Sequence, residues 1–238
     1  MPSLQDAVVV VTGANGGIGR ELVSQTLARG ATKVYASARV PQRWDDPRVV
    51  PLVLDVTDPA SVSAAVDAAA DATVVFNNAG ANPPTASLID IDDAALTANV
   101  DVNFLGPVRV ARAFAPVIAG RPGAALIDVH SVASWYAFGG IYSAAKAALW
   151  SATNSFRLEL APRGVHVMGV HMGYVDTAMA AHASGPKLTT EDLVAQVLAG
   201  LEAGEYEVLA DDLTRGVRAK LSEPLAALYS ELTPAPAA

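Results

Sequence analysis

The sequence predicts an α/β fold: a doubly wound parallel sheet of about seven strands with helices on both faces. Three observations predict it. Short apolar, β-branched runs alternate with stretches of helical period along the chain. Those runs are apolar nearly throughout, as strands covered on both faces must be. A glycine-rich turn joins the first strand to the first helix. The 238 residues suffice for one sizeable core, and no linker or composition shift marks a second unit, so 1–238 reads as one domain.

The elements follow in order. "AVVVVTG" (7–13) is the first strand, and "GRELVSQTLARGA" (19–31) is a helix whose Leu22, Val23, Thr26 and Leu27 share a face. Gly30 stops it. Residues 33–39 and 49–56 are strands two and three. A helix follows, with Thr57 or Asp58 as cap and Pro59 at its first position. "TVVFNNAG" (73–80) is a strand ending in a turn, and one long helix covers 92–119. "AALIDVHS" (124–131) is a strand, and the helix over 142–161 is stopped by Pro162 and Gly164. Residues 165–173 form a strand, 192–204 a helix and 205–210 the last strand. The Ala/Pro tail after Leu232 is expected to fray.

Composition narrows the function. No apolar run approaches the 18 or so residues of a membrane span. The N-terminal stretch has neither a basic region nor a cleavage pattern, so it does not read as a signal peptide. There is no cysteine, hence no disulfide, thiol nucleophile or zinc-thiolate site, which fits a cytoplasmic protein. A net charge of −8 argues against a nucleic-acid surface. His166, His171 and His182 have no metal-ligand spacing, so no metal is expected.

"TGANGGIG" (12–19) lies between strand and helix. One glycine must turn tightly, one must let backbone approach a pyrophosphate, and one must let the helix pack on the sheet. The helix N-terminus then offers its free N–H groups to phosphate. An ordinary glycine turn is the alternative. Three residues separate Gly13 from Gly17, and this spacing resembles the short-chain dehydrogenase/reductase superfamily, in its branch of about 250 residues. "LDV" (54–56), "NNAG" (77–80), "DVNFLGP" (101–107), Ser131, "YSAAK" (142–146) and "GYVDT" (173–177) match it in order across nearly the whole chain. The resemblance implies a Rossmann-type sheet and a nicotinamide cofactor.

Tyr142 and Lys146 lie one helical turn apart on one face. A free tyrosine has a pKa of about 10, so only about one in a thousand is ionised at pH 7. A nearby ammonium favours the phenolate, and so does a cationic nicotinamide. The resemblance implies that Tyr142 is the catalytic acid/base, that Lys146 also binds the ribose, and that Ser131 bonds the substrate oxygen. Alternatively, Lys146 snorkels beside a packed tyrosine. Ser134 is the less favoured serine, and His130 is either a structural residue or a second base. Pro107 lacks an N–H, so the Asn103 carbonyl should be free, and the resemblance gives it a proton-relay water.

The resemblance places the cofactor on Gly13, Asn15, Gly17, Ile18 and Gly19, on Asp55 and Val56, and on Asn78, Ala79 and Gly80. Gly173, Val175 and Thr177 match positions beside the carboxamide, although Met172 stands where proline is usual. An NAD site carries an acid at the end of the second strand, but here Ala38 is followed by Arg39, which favours the 2′-phosphate of NADP(H) over NAD(H). Ser37 could add a hydrogen bond. A solvated Arg39 is the alternative. Trp135, Tyr136 and Phe138 either line an apolar substrate pocket or serve as core or interface, and Tyr174 joins the pocket set. The short "AMAAHASGPKL" after Thr177 implies an open site for bulky hydrophobic ketones or aldehydes. The reading is therefore an NADP(H)-dependent carbonyl reductase or alcohol dehydrogenase acting on a small-molecule carbonyl or alcohol. Relatives commonly form dimers or tetramers. Alternatives are a polyol, steroid or acyl-thioester ketoreductase, or a non-catalytic NADP-binding regulator.

Overall fold

The computed structural model describes residues 2–232, so the tail beyond Leu232 lies outside the described residues. Seven strands form one parallel sheet: β1 (Val8–Thr12), β2 (Lys33–Ala38), β3 (Val49–Val53), β4 (Val74–Asn77), β5 (Ala125–Val129), β6 (His166–His171) and β7 (Glu207–Leu209). Their order is β3-β2-β1-β4-β5-β6-β7. The chain starts in the middle, runs to one edge, then returns past β1 to build the other side. This reversal opens a crevice at the carboxyl ends of β1 and β4.

Alternate residues of each strand feed two cores. Val9 and Val11 face Leu22, Val23 and Leu27 of α1 (Gly17–Ala28) and Leu193, Leu198 and Leu201 of α6 (Thr190–Ala203). Val10 and Val75 face the opposite layer. That layer is α2 (Pro59–Ala68), α4 (Gly106–Ile118) and α5 (Ile141–Leu160), contributing Val62, Phe114, Ile118 and Leu160. The expected caps hold. Asp58 accepts from Ala60 N–H with Pro59 at the first helical position, and Gly30 turns the chain after α1 at φ +96°.

The expected single helix over 92–119 is divided. α3 (Asp93–Val100) ends in a wide π-helical turn, Asp101–Leu105, before α4 begins. Gly106 N–H reaches the Asp101 carbonyl, five residues back. Pro107 sits in the first turn of α4, where its missing N–H costs nothing. Two further helices, α7 (Asp212–Ala219) and α8 (Leu225–Leu228), follow β7 and were not expected. Asp211 caps α7, a signal the sequence did carry.

Candidate active site

A cleft of about 1390 Å³ follows the carboxyl ends of the strands. The glycine turn forms its floor. Gly13 has φ +67°, and a Cβ on Gly19 would lie 2.2 Å from the Gly13 carbonyl oxygen. Around Gly16 a Cβ would meet nothing within 4 Å, and no side chain caps the start of α1. The first-turn N–H groups therefore border open cleft, an anion-binding arrangement. The "NNAG" turn is stapled to this floor. Thr12 Oγ1 accepts from Asn78 N and Ala79 N, both at 2.9 Å, and Asn78 Nδ2 donates to the Thr12 carbonyl at 2.8 Å.

Gly13, Asn15, Gly17, Ile18 and Gly19 line the cleft, as do Arg39, Asp55 and Val56. Asn78, Ala79, Gly80, Gly173, Val175 and Thr177 complete that wall. Asn15 uses its amide to shape the rim: Nδ2 donates to Val40 O at 2.8 Å and Oδ1 accepts from Gln42 N at 3.2 Å. Asp55 accepts from the hydroxyl and backbone N–H of Thr57, which hold its carboxyl below the usual range, with Arg39 adding to the effect. Ser37 departs from expectation. It is fully buried, and its hydroxyl donates to the Val11 carbonyl at 3.0 Å. The strand's alternation points it to a covered face of the sheet, and it does not line the cleft.

Ser131, Tyr142 and Lys146 converge on the cleft. Ser131 follows β5 and Tyr142 opens α5, so the 3₁₀ turn Val132–Ser134 and a short loop set their separation. Lys146 is 3% exposed and donates to the Val129 carbonyl at 2.7 Å. Burial pulls its pKa down to about 8, with Asp128 pulling the other way. Tyr142 keeps part of its surface open, yet burial pushes its phenol up to about 12 against the Ser131 hydroxyl. The expected depression of the phenol by Lys146 is thus not supplied by the protein alone. The ammonium sits 5.7 Å from the centre of the Tyr142 ring and spends its hydrogen bond on Val129.

Asn103 does not line the cleft directly. Its side chain, fully buried, donates to Ala81 O at 2.8 Å and Asn99 O at 3.0 Å and accepts from Ala81 N at 3.2 Å. It pins the loop after β4. A Cβ on Gly80 would lie 3.0 Å from Asn103 Oδ1 and 4.0 Å from Lys146 Nζ, so the turn packs tightly against Asn103.

The aromatic segment divides. Phe138 and Tyr174 line the cleft, 6.2 Å apart between ring centres. Trp135 and Tyr136 do not. Trp135 is 8% exposed and stacks on His171 at 4.0 Å, and Tyr136 stacks on Tyr229 at 5.1 Å. The unforeseen C-terminal helices bring Tyr229 and Arg218 to this cluster, which is why the cleft loses both rings. Sequence reasoning missed the loop 81–86, Met179 and His182 on the cleft. The loop's signal was its place directly after a strand's carboxyl end. Asn82 Nδ2 donates to the Met179 carbonyl at 2.8 Å, bridging the approach expected to be open.

Residues 7–187 match the family described as short chain dehydrogenase. An NADPH-dependent 1-acyldihydroxyacetone phosphate reductase of Schizosaccharomyces pombe is 37% identical over 180 residues, which are 71% of this chain and 60% of that protein. A short chain dehydrogenase from Burkholderia cenocepacia in complex with NADP superposes with TM-score 0.90 at 34% identity, covering 98% of this chain and all of that one. A relative from Burkholderia phymatum in complex with NAD, 21% identical over the whole of this chain and 99% of its own, shares the fold with TM-score 0.82.

Proposed function

The chain belongs to the short-chain dehydrogenase family, and on that basis we propose that it is a cytoplasmic NADP(H)-dependent reductase of bulky, neutral, hydrophobic ketones or aldehydes. It is an oxidoreductase that uses a nicotinamide cofactor on a small molecule. Among the described residues, no helix is long and apolar enough to cross a membrane. The uncapped start of α1 and the open space at Gly16 fit a pyrophosphate. Exposed Arg39 at the rim, with no carboxylate at Ala38, supports a 2′-phosphate partner. Phosphate-bearing NADP in the Burkholderia cenocepacia relative supports the same preference.

When bound, the nicotinamide supplies or accepts the hydride. This chain's residues handle the rest. Ser131 Oγ holds the carbonyl oxygen, and Tyr142 Oη gives it the proton. Lys146 would hold the ribose hydroxyls, and the Ser131 hydroxyl works against the rise that burial imposes on the phenol. Asn103 pins the backbone of Ala81 in the loop after β4. Proton donation of this kind is worth about 10² to 10⁴-fold.

One observation carries the substrate class. The cleft continues past Tyr142 to a wall built from Pro83, Pro84, Phe138, Tyr174 and Met179, with no Lys or Arg among the described residues there. Such a wall gains by burying apolar surface, with Asn82, Thr85 and His182 as the polar side chains beside it. A panel of carbonyl compounds read by NADPH oxidation tests it. Higher kcat/KM for aryl and long-chain ketones or aldehydes is expected. A preference for phosphorylated, carboxylated or sugar substrates would overturn it.

A further inference from the structure

Next to Ser131 lies a set of buried polar groups that the reaction above leaves unused. His171, at the end of β6, is fully buried and does not line the cleft. Its ring is nearly parallel to two others: Trp135 at 4.0 Å and 17°, and His130 at 4.7 Å and 18°. Two rings stacked that closely on a third must take opposite faces, so His171 is sandwiched. Its Nδ1 lies 3.3 Å from the Ser131 carbonyl oxygen. A carbonyl only accepts, so this contact calls for the hydrogen on Nδ1, in competition with the Glu207 carboxylate 3.7 Å from Nε2.

The other ring edge faces Glu207 of β7, with Nε2 3.7 Å from Oε1. That carboxylate is fixed independently, since Trp150 Nε1 donates to it at 2.8 Å and Arg218 stands 3.5 Å away. Further in, Thr153 joins Asp128 Oδ2 at 2.6 Å to His130 Nε2 at 3.2 Å. The ring is therefore held by stacking on both faces and has a defined neighbour at each nitrogen.

We propose that His171 is a positioning residue: its Nδ1–H, aimed by the Trp135–His130 sandwich, fixes the backbone of Ser131 and thereby the Ser131 hydroxyl. The inference rests on the reading of Ser131 as the group that holds the substrate oxygen. The local geometry supplies the leverage. Ser131 Oγ donates to Met172 O at 3.4 Å and accepts from Ala133 N at 3.2 Å, both loose contacts. The hydroxyl is therefore free to leave them for a substrate, while the backbone beneath it must not move. Met172 O also accepts from Val132 N at 2.7 Å. His130 N donates to Val170 O at 2.8 Å, and the His171 side chain adds a further tie between the ends of β5 and β6, on the Ser131 carbonyl itself. Misplacement by about 1 Å can cost about 10²-fold in rate. This also gives Trp135 a use: it is the lid of the sandwich rather than a substrate contact.

Two measurements test it. Nitrogen-15 spectra of the histidine rings in the full-length protein, with His171 assigned by its loss in His171→Phe, should show a protonated Nδ1. A ring protonated at Nε2 alone would overturn the proposal. Steady-state kinetics of His171→Phe, which keeps a stacked ring without the donor, should show kcat reduced about tenfold or more with NADPH affinity within twofold. His171→Asn, whose amide can occupy the Nδ1 position, should recover most of the kcat. Unchanged kcat in the Phe variant, or equal losses in both, would overturn it. If the wild-type protein turned over no carbonyl compound, the functional reading would fail, and the ring spectra would still decide where the His171 proton sits.

Discussion

Lys146 is a costly side chain to bury. Its amine is held at about pKa 8 against an ordinary 10.5, a difference worth at most about 3 kcal/mol. Between pH 8 and 10.5 the unfolded chain binds that proton and the folded chain does not, so this group makes stability rise with pH across that window. Below about pH 8 the whole penalty is present. Lys146→Met should therefore be inactive yet more stable at pH 7 by about 1–2 kcal/mol, after about 1 kcal/mol for the donor lost to Val129. The gain should vanish by about pH 10. Denaturant melts of both proteins at the two pH values check it; a less stable variant at pH 7 would contradict it. That Tyr142 and Lys146 share a helix face was legible from their spacing, and the resemblance brought Ser131 to them; the structure places all three on one cleft. The direction of the Tyr142 shift was not, because burial is set by the whole fold and no spacing reports it.

At the scale of elements, the glycine turn makes a sharper prediction than its motif does. Gly19→Ala puts a Cβ against the Gly13 carbonyl and Ala14 backbone, neither of which can rotate away. It should cost about 2 kcal/mol or more, read as a lowered melting temperature. Gly16→Ala meets nothing in the protein, so the fold should melt within a few degrees of wild type while NADPH affinity, measured by titration calorimetry, weakens. Gly140 precedes Tyr142 at φ +56°, ψ −123°, and a Cβ there would lie 2.2 Å from the Ala86 carbonyl oxygen. Gly140→Ala should lower both stability and kcat, because it displaces α5's first turn from the loop after β4. The strands and the Asp58 cap were legible from local pattern, whereas the caps at Asp92, Thr189 and Asp211 were not anticipated. The division of 92–119 was only half legible: Pro107 marked the interruption, but the wide turn is joined by Asn103 to Ala81, a contact 22 residues distant. Ser37 was misread because its partner, Val11, belongs to the neighbouring strand.

For the whole molecule, sheet order and the crevice at its switch point organise the account. A doubly wound parallel sheet was expected from alternation of strands and helices, and the glycine turn, "NNAG" and Ser131 follow the carboxyl ends of β1, β4 and β5, while Tyr142 and Lys146 lie on α5. The fate of the aromatic segment was not legible, because α7 and α8 carry the residues that claim Trp135 and Tyr136. We expect assembly through the two long helical segments, which leave Leu105 and Leu158 exposed. Light scattering should give two or four times the 24.4 kDa of the chain, and a monomer would contradict this. Arg39→Ala should reduce the preference for NADPH over NADH by about tenfold, the loss of one charge-assisted contact. The most direct test of the central claim is NADPH oxidation with a hydrophobic ketone, comparing the wild-type protein with Tyr142→Phe. The account predicts turnover by the wild type and a loss of about 10² to 10⁴-fold in the variant with NADPH still bound; full activity in Tyr142→Phe would contradict it.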